Sequence, residues 1–268
     1  MGSVGHTAQQ SRKAAFHGPY MNLLDTLCHH KDFLQIQQRD EPDSKREYDR
    51  ELVLRFLAMK RSYNVFKTPL ASFLIEELVQ HHQADTAELK RLEAMFKNTT
   101  SVVWQIWGPE ACRKPAACGG RSAFSEPLWD ATMVGVCEEL EQAGNNRRRG
   151  ELVGKAADIR EAYKKLCADK TFEDNLKTNS RRNIQRRIAM LRGMLVEAAP
   201  PTRLDARRAF PNDIKRQLWA EPAARGRQLV CGLCNQIIHQ VGDAEVDHVT
   251  PWSHGGATTA SNAQLVHR

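Results

Sequence analysis

Cysteine and histidine residues near the C-terminus have the spacing of a metal site. Cys231 and Cys234 are separated by two residues and lie between the apolar pairs Leu229-Val230 and Ile237-Ile238. This pattern predicts a tight turn between two strands, in which both thiolates face one ion. Tetrahedral zinc needs two further ligands. His267 is the candidate for the third, and the sequence offers no fourth.

A Cys-x-x-Cys pair also occurs in thioredoxin-like redox proteins, where it lies at a strand-to-helix turn of a βαβ unit. Because the sequence shows no such context, the zinc interpretation is favoured. The chain has seven cysteines and no secretion signal, which indicates reduced thiols rather than a disulfide framework. The scattered cysteines are expected to be small buried hydrophobic residues: Cys28, Cys112, Cys118, Cys137 and Cys167.

A second polar group follows the cysteine pair, in the stretch Glu245–Ser253, then Gly255-Gly256 and Asn262. This stretch resembles the HNH, or ββα-metal, endonuclease motif: an Asp-His pair ending a strand, a Pro-Trp-Ser and Gly-Gly loop, then an Asn opening a helix. With Cys231 and the Leu-Val-His ending at His267, it resembles the zinc-bound subgroup of that family. There a further Cys and an Asn-Arg-x-Lys-Gly-like tail normally follow.

The resemblance implies a role for each residue in phosphodiester cleavage. Asp247 would bind a divalent cation, with magnesium expected, which stabilises the charge on the phosphate. His248 would be the general base, because imidazole titrates near neutral pH. Asn262 would fix the His248 loop by hydrogen bonding, and Gly255-Gly256 would allow a sharp turn. Glu245 is expected to be a strand-edge carboxylate.

A lone His, Asp or Asn is usually structural or solvated. The joint occurrence of Asp247, His248 and Asn262 behind a Cys-x-x-Cys pair is much more specific than any one of them. The two other histidines of this region, His239 and His254, have no place in the motif and are expected to be surface residues.

Positive charge is concentrated between Arg181 and Arg227. The whole chain has a net charge of +7 and a pI near 9.1, and this stretch holds twelve lysines and arginines against four acids. A basic belt just before a nuclease motif would attract DNA, because neutralising phosphates supplies most sequence-independent affinity. A solvated helix face and linker would have the same composition, so charge alone leaves both interpretations open.

From Phe16 to about Leu195 the apolar residues recur at helical spacing, and no convincing strand pattern appears. One helix is expected at Asp49–Lys60 and another after Pro69. A capping box at Asp85 predicts a third helix, which is expected to fray at Asn98–Thr100.

Further along, one helical period runs from Leu152 to Leu166. Ser180 is expected to cap a last long helix with Arg182 and Arg186 on its outer face. The stretches Gly108–Pro127 and Gly144–Gly150 are predicted to be loops.

Parts of the helical region also resemble a known family. Four stretches resemble the helical C-terminal half of GmrSD-type restriction proteins: His17-Gly18-Pro19-Tyr20, Asn22-Leu23-Leu24, Arg50–Ala58, and Pro69-Leu70 with Ser72–Leu74. The resemblance covers roughly residues 14–195 and rests mostly on packing positions, so it indicates ancestry better than activity. Those proteins carry a ParB-like nucleotide-binding domain and commonly end in an HNH nuclease. Because neither that domain nor the last HNH positions are in the sequence, a fragment truncated at both ends is expected.

These observations predict a mainly α protein in which a helical domain precedes a small zinc-stapled ββα-metal module, incomplete at its C-terminus. The expected parts are a disordered start at 1–15, a helical domain at 16–196, a basic linker and helix at 197–228, and a partial HNH module at 229–268. Neither a membrane span nor a signal peptide is indicated, so a cytoplasmic location is expected.

The expected function is that of a magnesium-dependent HNH DNA endonuclease with structural zinc, in a restriction or phage-defence system. Two alternatives remain. One is that the module is a non-cleaving zinc-containing DNA-binding or regulatory unit, and the other is that the helical part is a protein-interaction scaffold.

Overall fold

The computed structural model of the chain describes residues 17–42, 47–115, 123–142, 145–202, 205–224, 228–252 and 255–268. It divides into two compact units, Met1–Pro200 and Pro201–Arg268. The predicted mainly helical fold with a small C-terminal β-module is confirmed. The expected disordered start, at residues 1–15, lies outside the described residues. No helix of the described ranges is long and apolar enough to cross a membrane.

The first unit is built from helices, and its described residues also include one isolated antiparallel bridge, between Arg113 and Phe124. Its helices are α1 (Pro19–Cys28), α2 (Lys31–Gln37), α3 (Glu47–Ser62), α4 (Leu70–His81), α5 (Thr86–Trp107), α6 (Glu126–Gln142), α7 (Asn145–Gly154), α8 (Ala156–Ala168), α9 (Lys170–Leu176) and α10 (Arg181–Ala198). The second unit contains α11 (Asn212–Ala224) and a two-stranded antiparallel sheet of β1 (Ala244–His248) and β2 (Ala263–His267).

The predicted helix caps are confirmed. The Asp85 side chain accepts the Glu88 N–H at 2.8 Å, and the Ser180 hydroxyl accepts the Asn183 N–H at 3.2 Å. The expected fraying at Asn98–Thr100 is wrong, because α5 continues to Trp107. The Thr100 hydroxyl donates to the backbone carbonyl one turn earlier, at 2.9 Å, and the residues that follow are core. A polar run therefore stays helical where tertiary packing covers it.

Two further predictions were wrong in the middle of the chain. Residues 145–150 of the predicted loop Gly144–Gly150 belong to α7, and the single period at 152–166 is divided between α7 and α8 at Lys155. Arg148, which suggested a solvated loop, is fully buried, where it bonds to Glu139 and to the backbone carbonyl of Ala199. Arginine content indicated exposure here, but ion pairing allows burial.

Helix α6 forms the centre of the first unit. It packs against α3, α5, α7 and α10, and all its residues from 128 to 137 are buried. A helix that is buried on all sides has no solvent face to fill with charges, which explains its apolar sequence. At Gly135 a Cβ atom would lie 2.7 Å from Leu191 of α10, so glycine permits the close approach of these two helices.

Buried ion pairs hold the polar residues of α6. The Asp130 carboxylate accepts from Arg55 at 2.7 and 3.1 Å and from Arg187 at 2.7 Å. Nine residues further along α6, Glu139 accepts from Arg148 at 2.8 Å. These charges lie away from water, so removal of one partner leaves buried charge with less compensation. The helical periodicity did not reveal this network.

The second unit has a very small core. Cys231, Ile238, Ala244, Leu265 and Val266 are buried in it, and Leu218 and Trp219 of α11 pack against them. The strands pair with Val246 opposite Leu265 and with His248 opposite Ala263. So few apolar side chains cannot stabilise a module of this size without an additional constraint.

We predict that Asp130→Asn lowers the free energy of unfolding of the helical unit by about 3–5 kcal/mol, because buried Arg187 loses its counter-charge and Arg55 keeps only the part-exposed Glu126. Urea denaturation of the full chain, followed by far-ultraviolet circular dichroism, measures the loss. The matched control is Asp158→Asn, since Asp158 pairs with Lys155 through side chains that are 58% exposed; its cost should stay below about 1 kcal/mol. Equal effects of the two variants would contradict the prediction.

Candidate functional site

The chain segment around Cys231 and Cys234 forms the predicted tight turn. Val230 and Ile237 make an antiparallel bridge on either side of it, and the Cys231 N–H donates to the carbonyl of Gln236 at 2.8 Å. The Gly232 N–H donates to the Leu265 carbonyl of β2 at 2.9 Å. The turn is therefore attached to the strand that ends at His267.

The two cysteines and His267 lie together. Cys231 Sγ, Cys234 Sγ and an imidazole nitrogen of His267 are all within 4.8 Å of one another, and Cys234 Sγ is 3.3 Å from His267 Nδ1. Two ligand atoms of tetrahedral zinc are about 3.5 Å apart when one is a sulfur and the other a nitrogen. The geometry therefore fits a metal ion held by these three residues. No other grouping of this kind occurs in the described residues.

Hydrogen bonds favour the metal-binding forms of Cys231 and His267. The backbone N–H of Cys234 points at the Cys231 sulfur and lowers the pKa of Cys231 to about 6, with help from the N–H of His267. A thiolate is the form that binds metal. His267 Nε2 lies 3.3 Å from the Ile237 carbonyl, which can only accept, so Nε2 carries the hydrogen and Nδ1 keeps its lone pair towards Cys234.

Asn262 ties together the loop that joins the two strands. Its Oδ1 accepts the Thr250 N–H at 2.8 Å, while its Nδ2 donates to the carbonyls of Thr250 at 3.0 Å and Ala257 at 2.9 Å. At Gly256 a Cβ atom would lie 1.8 Å from the Thr250 carbonyl oxygen, so only glycine fits under this amide. Gly255 has a positive φ of 85°, as a sharp turn requires.

The expectation that Asn262 opens a helix is wrong. Asn262 closes a short 3-10 turn at Ala260–Asn262, and the next residues form β2. The alternation in Gln264–Val266 was too short to distinguish from a helix start by pattern alone. In this unit the helix that packs on the hairpin is α11, which precedes it in sequence.

Asp247 and His248 are neighbours at the end of β1 but differ in burial. Asp247 is exposed, whereas His248 is only 8% exposed. Strand alternation directs consecutive side chains to opposite faces of the sheet. The described residues place no second or third candidate metal ligand of the His, Cys, Asp or Glu types in a cluster with Asp247.

The imidazole of His248 is held by residues that sequence reasoning missed. Its Nε2 lies 3.1 Å from the Thr258 hydroxyl, and its ring centroid lies 4.2 Å from that of Phe210. Thr258 is not one of the motif residues identified from the sequence, and Phe210 belongs to the predicted linker. No signal in the sequence marked either residue as a neighbour of His248.

Asp205, another residue of the predicted linker, binds the loop near His248. Its carboxylate accepts the Arg207 N–H and the Thr258 N–H, each at 2.9 Å. The Arg207 N–H, with that of Thr258, lowers the pKa of Asp205 below its ordinary value. Because the folded pKa is the lower one, this stabilisation is fully present above the ordinary carboxyl pKa of about 4 and is lost as the pH falls through the folded value.

The other residues of the motif region lie at the surface. Glu245 of β1 is exposed and lies 3.3 Å from Arg268. His239 is exposed, as expected, and His254 lies outside the described residues.

The basic stretch from Arg181 to Arg227 is not uniformly exposed. Arg187 is fully buried against Asp130, and Arg192 bonds to Glu138 and Glu139. Arg182 and Arg186 face outward on α10 as predicted, and the second unit exposes Arg207, Arg208 and Arg216. Arg203, Arg225 and Arg227 lie outside the residues whose side chains are described. The charge count therefore overstates the surface available to phosphates.

Residues 228–268 match the family model described as HNH endonuclease. The match covers the turn of Cys231 and Cys234, both strands and the loop between them, so this segment is an HNH endonuclease domain. No curated protein and no solved structure matches the chain.

We predict that the chain binds about one equivalent of a divalent metal at Cys231, Cys234 and His267. Titration with Co²⁺ should produce thiolate-to-metal absorption. Cys234→Ser and His267→Ala should each weaken binding by about 10-fold or more, because each removes a ligand. His239→Ala is the control, since this exposed histidine follows the turn without belonging to the cluster. Unchanged binding in both ligand variants would exclude the site.

We also predict that Asn262→Asp loosens the loop, because a carboxylate cannot donate to the carbonyls of Thr250 and Ala257. Hydrogen exchange of the Thr250 amide should become about 10-fold faster. Ser261→Ala, the adjacent exposed position, should leave that rate unchanged. If the Thr250 amide exchanged at the wild-type rate in Asn262→Asp, the loop would not depend on this side chain.

Proposed function

We propose that this protein is a metal-dependent HNH endonuclease that hydrolyses phosphodiester bonds of DNA. The observation that carries the proposal is the position of His248, within the segment that matches the family. Its imidazole is fixed at the end of β1, beside a loop that Asn262 closes. An imidazole held in one orientation is suited to deprotonating a water molecule.

His248 acts as the general base in this proposal. An imidazole is neutral for much of the physiological pH range, so it can accept a proton from water as the oxygen attacks phosphorus. Asn262 does not ionise and acts through its three hydrogen bonds, which keep the residues after His248 in place. Loss of this order would misplace the base relative to the phosphate.

Asp247 is the proposed ligand of the catalytic cation. Its carboxylate is exposed on β1, one residue before the proposed base. Magnesium is commonly held by one or two carboxylates, with waters and substrate phosphates completing its shell, so a single exposed carboxylate fits this ion. The bound cation would supply electrophilic stabilisation of the charge on the phosphate.

Cys231, Cys234 and His267 are proposed to hold structural zinc. A site of two thiolates and an imidazole binds zinc in preference to magnesium or calcium, which favour oxygen ligands. Because the hairpin core is so small, an ion that joins the turn to the end of β2 would contribute directly to folding.

The wider assignment is to a restriction or phage-defence system. The helical region, 16–196, would be the GmrSD-like part, followed by a basic linker and helix at 197–228 and the HNH module at 229–268. The resemblance depends on residues such as Tyr20, Leu24 and Phe56, which are buried in the helical core. A ParB-like nucleotide-binding domain is the partner that this assignment implies, and modified or foreign DNA is the implied substrate.

One observation favours a second candidate, a zinc-containing DNA-binding or regulatory module that does not cleave. Among the described residues the metal cluster has three members, whereas structural zinc usually has four protein ligands. Such a module would bind DNA and zinc without turnover.

A plasmid-nicking assay with Mg²⁺ tests the proposal. His248→Ala should reduce the rate of nicking by about 10²–10⁴-fold, since a general base contributes that much. His239→Ala, which changes an exposed histidine of the same module, should cut at the wild-type rate.

Equal nicking by wild type and His248→Ala would exclude His248 as the base. DNA binding without any nicking by a metal-loaded wild-type protein would instead support the non-cleaving candidate.

A further inference from the structure

A segment that lies before the family match is attached to the loop around His248. This upstream segment, Asp205–Phe210, makes two hydrogen bonds and one aromatic contact with the loop and with His248. The Asp205 carboxylate accepts the Thr258 N–H at 2.9 Å, the Asp205 carbonyl accepts the Trp252 indole N–H at 3.0 Å, and the Phe210 ring packs on the His248 ring. All of these residues belong to the second unit.

The hydrogen bonds of Thr258 determine which nitrogen of His248 carries a hydrogen. The Thr258 hydroxyl is bonded to the Arg207 carbonyl, and because a carbonyl can only accept, the hydroxyl hydrogen is used there. The same oxygen lies 3.1 Å from His248 Nε2, so it must accept from Nε2–H. Neutral His248 therefore keeps its lone pair on Nδ1.

The hydrogen bonds from His248 Nε2 to the Thr258 hydroxyl, and from that hydroxyl to the Arg207 carbonyl, form a relay. Asp205 binds the backbone of both Thr258 and Arg207. One carboxylate oxygen accepts the N–H of Arg207, the residue whose carbonyl receives the Thr258 hydrogen. The other accepts the backbone N–H of Thr258 itself. A single carboxylate thus fixes the acceptor and the hydroxyl relative to each other, while Phe210 limits rotation of the imidazole on its other side.

We propose that Thr258 and Asp205 are positioning residues for His248, and that the upstream segment is a functional part of the nuclease centre. They hold the imidazole with hydrogen on Nε2, which presents Nδ1 as the atom that accepts a proton from water. This inference rests on the proposed function, because His248 must be the base for its tautomer to affect cleavage. The hydrogen-bond relay itself can be tested without any cleavage.

The test uses the full chain and the variants Thr258→Val, Thr258→Ser and Asp205→Asn. Valine removes the hydroxyl at similar size, serine keeps it, and asparagine replaces one accepting oxygen with an NH₂ group that faces an N–H. Long-range ¹H–¹⁵N spectra of ¹⁵N-histidine protein report the ring tautomer, and His248→Gln identifies the His248 signals. Spectra are taken about two pH units above the ordinary histidine pKa of about 6.5, so that the ring is neutral.

We expect wild type and Thr258→Ser to show hydrogen on Nε2 of His248. In Thr258→Val, and to a smaller extent in Asp205→Asn, a population with hydrogen on Nδ1 should appear. In the nicking assay the valine variant should lose about 10- to 100-fold in kcat with little change in KM, and serine should restore kcat to within about 3-fold of wild type. Unchanged Co²⁺ binding shows that each variant is folded.

A Thr258→Val protein that keeps both the wild-type tautomer and the wild-type kcat would overturn the inference. So would a loss of kcat that serine does not restore, since that pattern indicates a structural role. The failure of the proposed function looks different: wild type would not nick DNA, or His248→Ala would nick normally, while the tautomer spectra would still decide whether the relay exists.

Discussion

The attachment of the turn of Cys231 and Cys234 to β2 is the constraint on which the C-terminal module depends. The hairpin contributes only a few buried apolar residues, too few to order it alone. The Gly232 N–H joins the turn to Leu265, and the His267 N–H points at the Cys231 sulfur. A metal ion at this junction would join the turn, the end of β2 and, through strand pairing, β1. His248 lies at the other end of the hairpin, opposite Ala263, so this junction supports the strand that carries the proposed base, while local contacts hold its ring.

The loop between the strands is ordered by a different device. Its hydrogen bonds converge on the Asn262 side-chain amide, which accepts from one backbone N–H and donates to two backbone carbonyls. No other side chain of this length provides a donor and an acceptor in one rigid group, and Gly256 leaves the space that the amide needs. Asparagine at this position is therefore explained by loop geometry, before any contribution to catalysis is considered.

Sequence reasoning succeeded where a residue's own chemistry determines its neighbours. Cysteine spacing predicted the turn, and the caps at Asp85 and Ser180 predicted two helix starts. It failed where contacts between residues distant in sequence determine whether a side chain is buried or exposed. Arg148 and Arg187 suggested exposed basic surface, but they are buried because Glu139 and Asp130 lie opposite them in space. The strand after Asn262 was mistaken for a helix because five residues carry too little periodicity to separate the two.

The residues around His248 show how the contacts of a proposed catalytic residue can extend beyond a recognisable motif. The last acceptor in the relay is the backbone carbonyl of Arg207, which any residue could provide, so no side-chain pattern marks it. The constraint falls instead on Asp205 and Thr258, which must place that carbonyl and the hydroxyl at hydrogen-bonding distance. The family match begins at residue 228 and contains only one of these two. The upstream segment therefore contacts the proposed base and its loop from outside the residues that the family match covers.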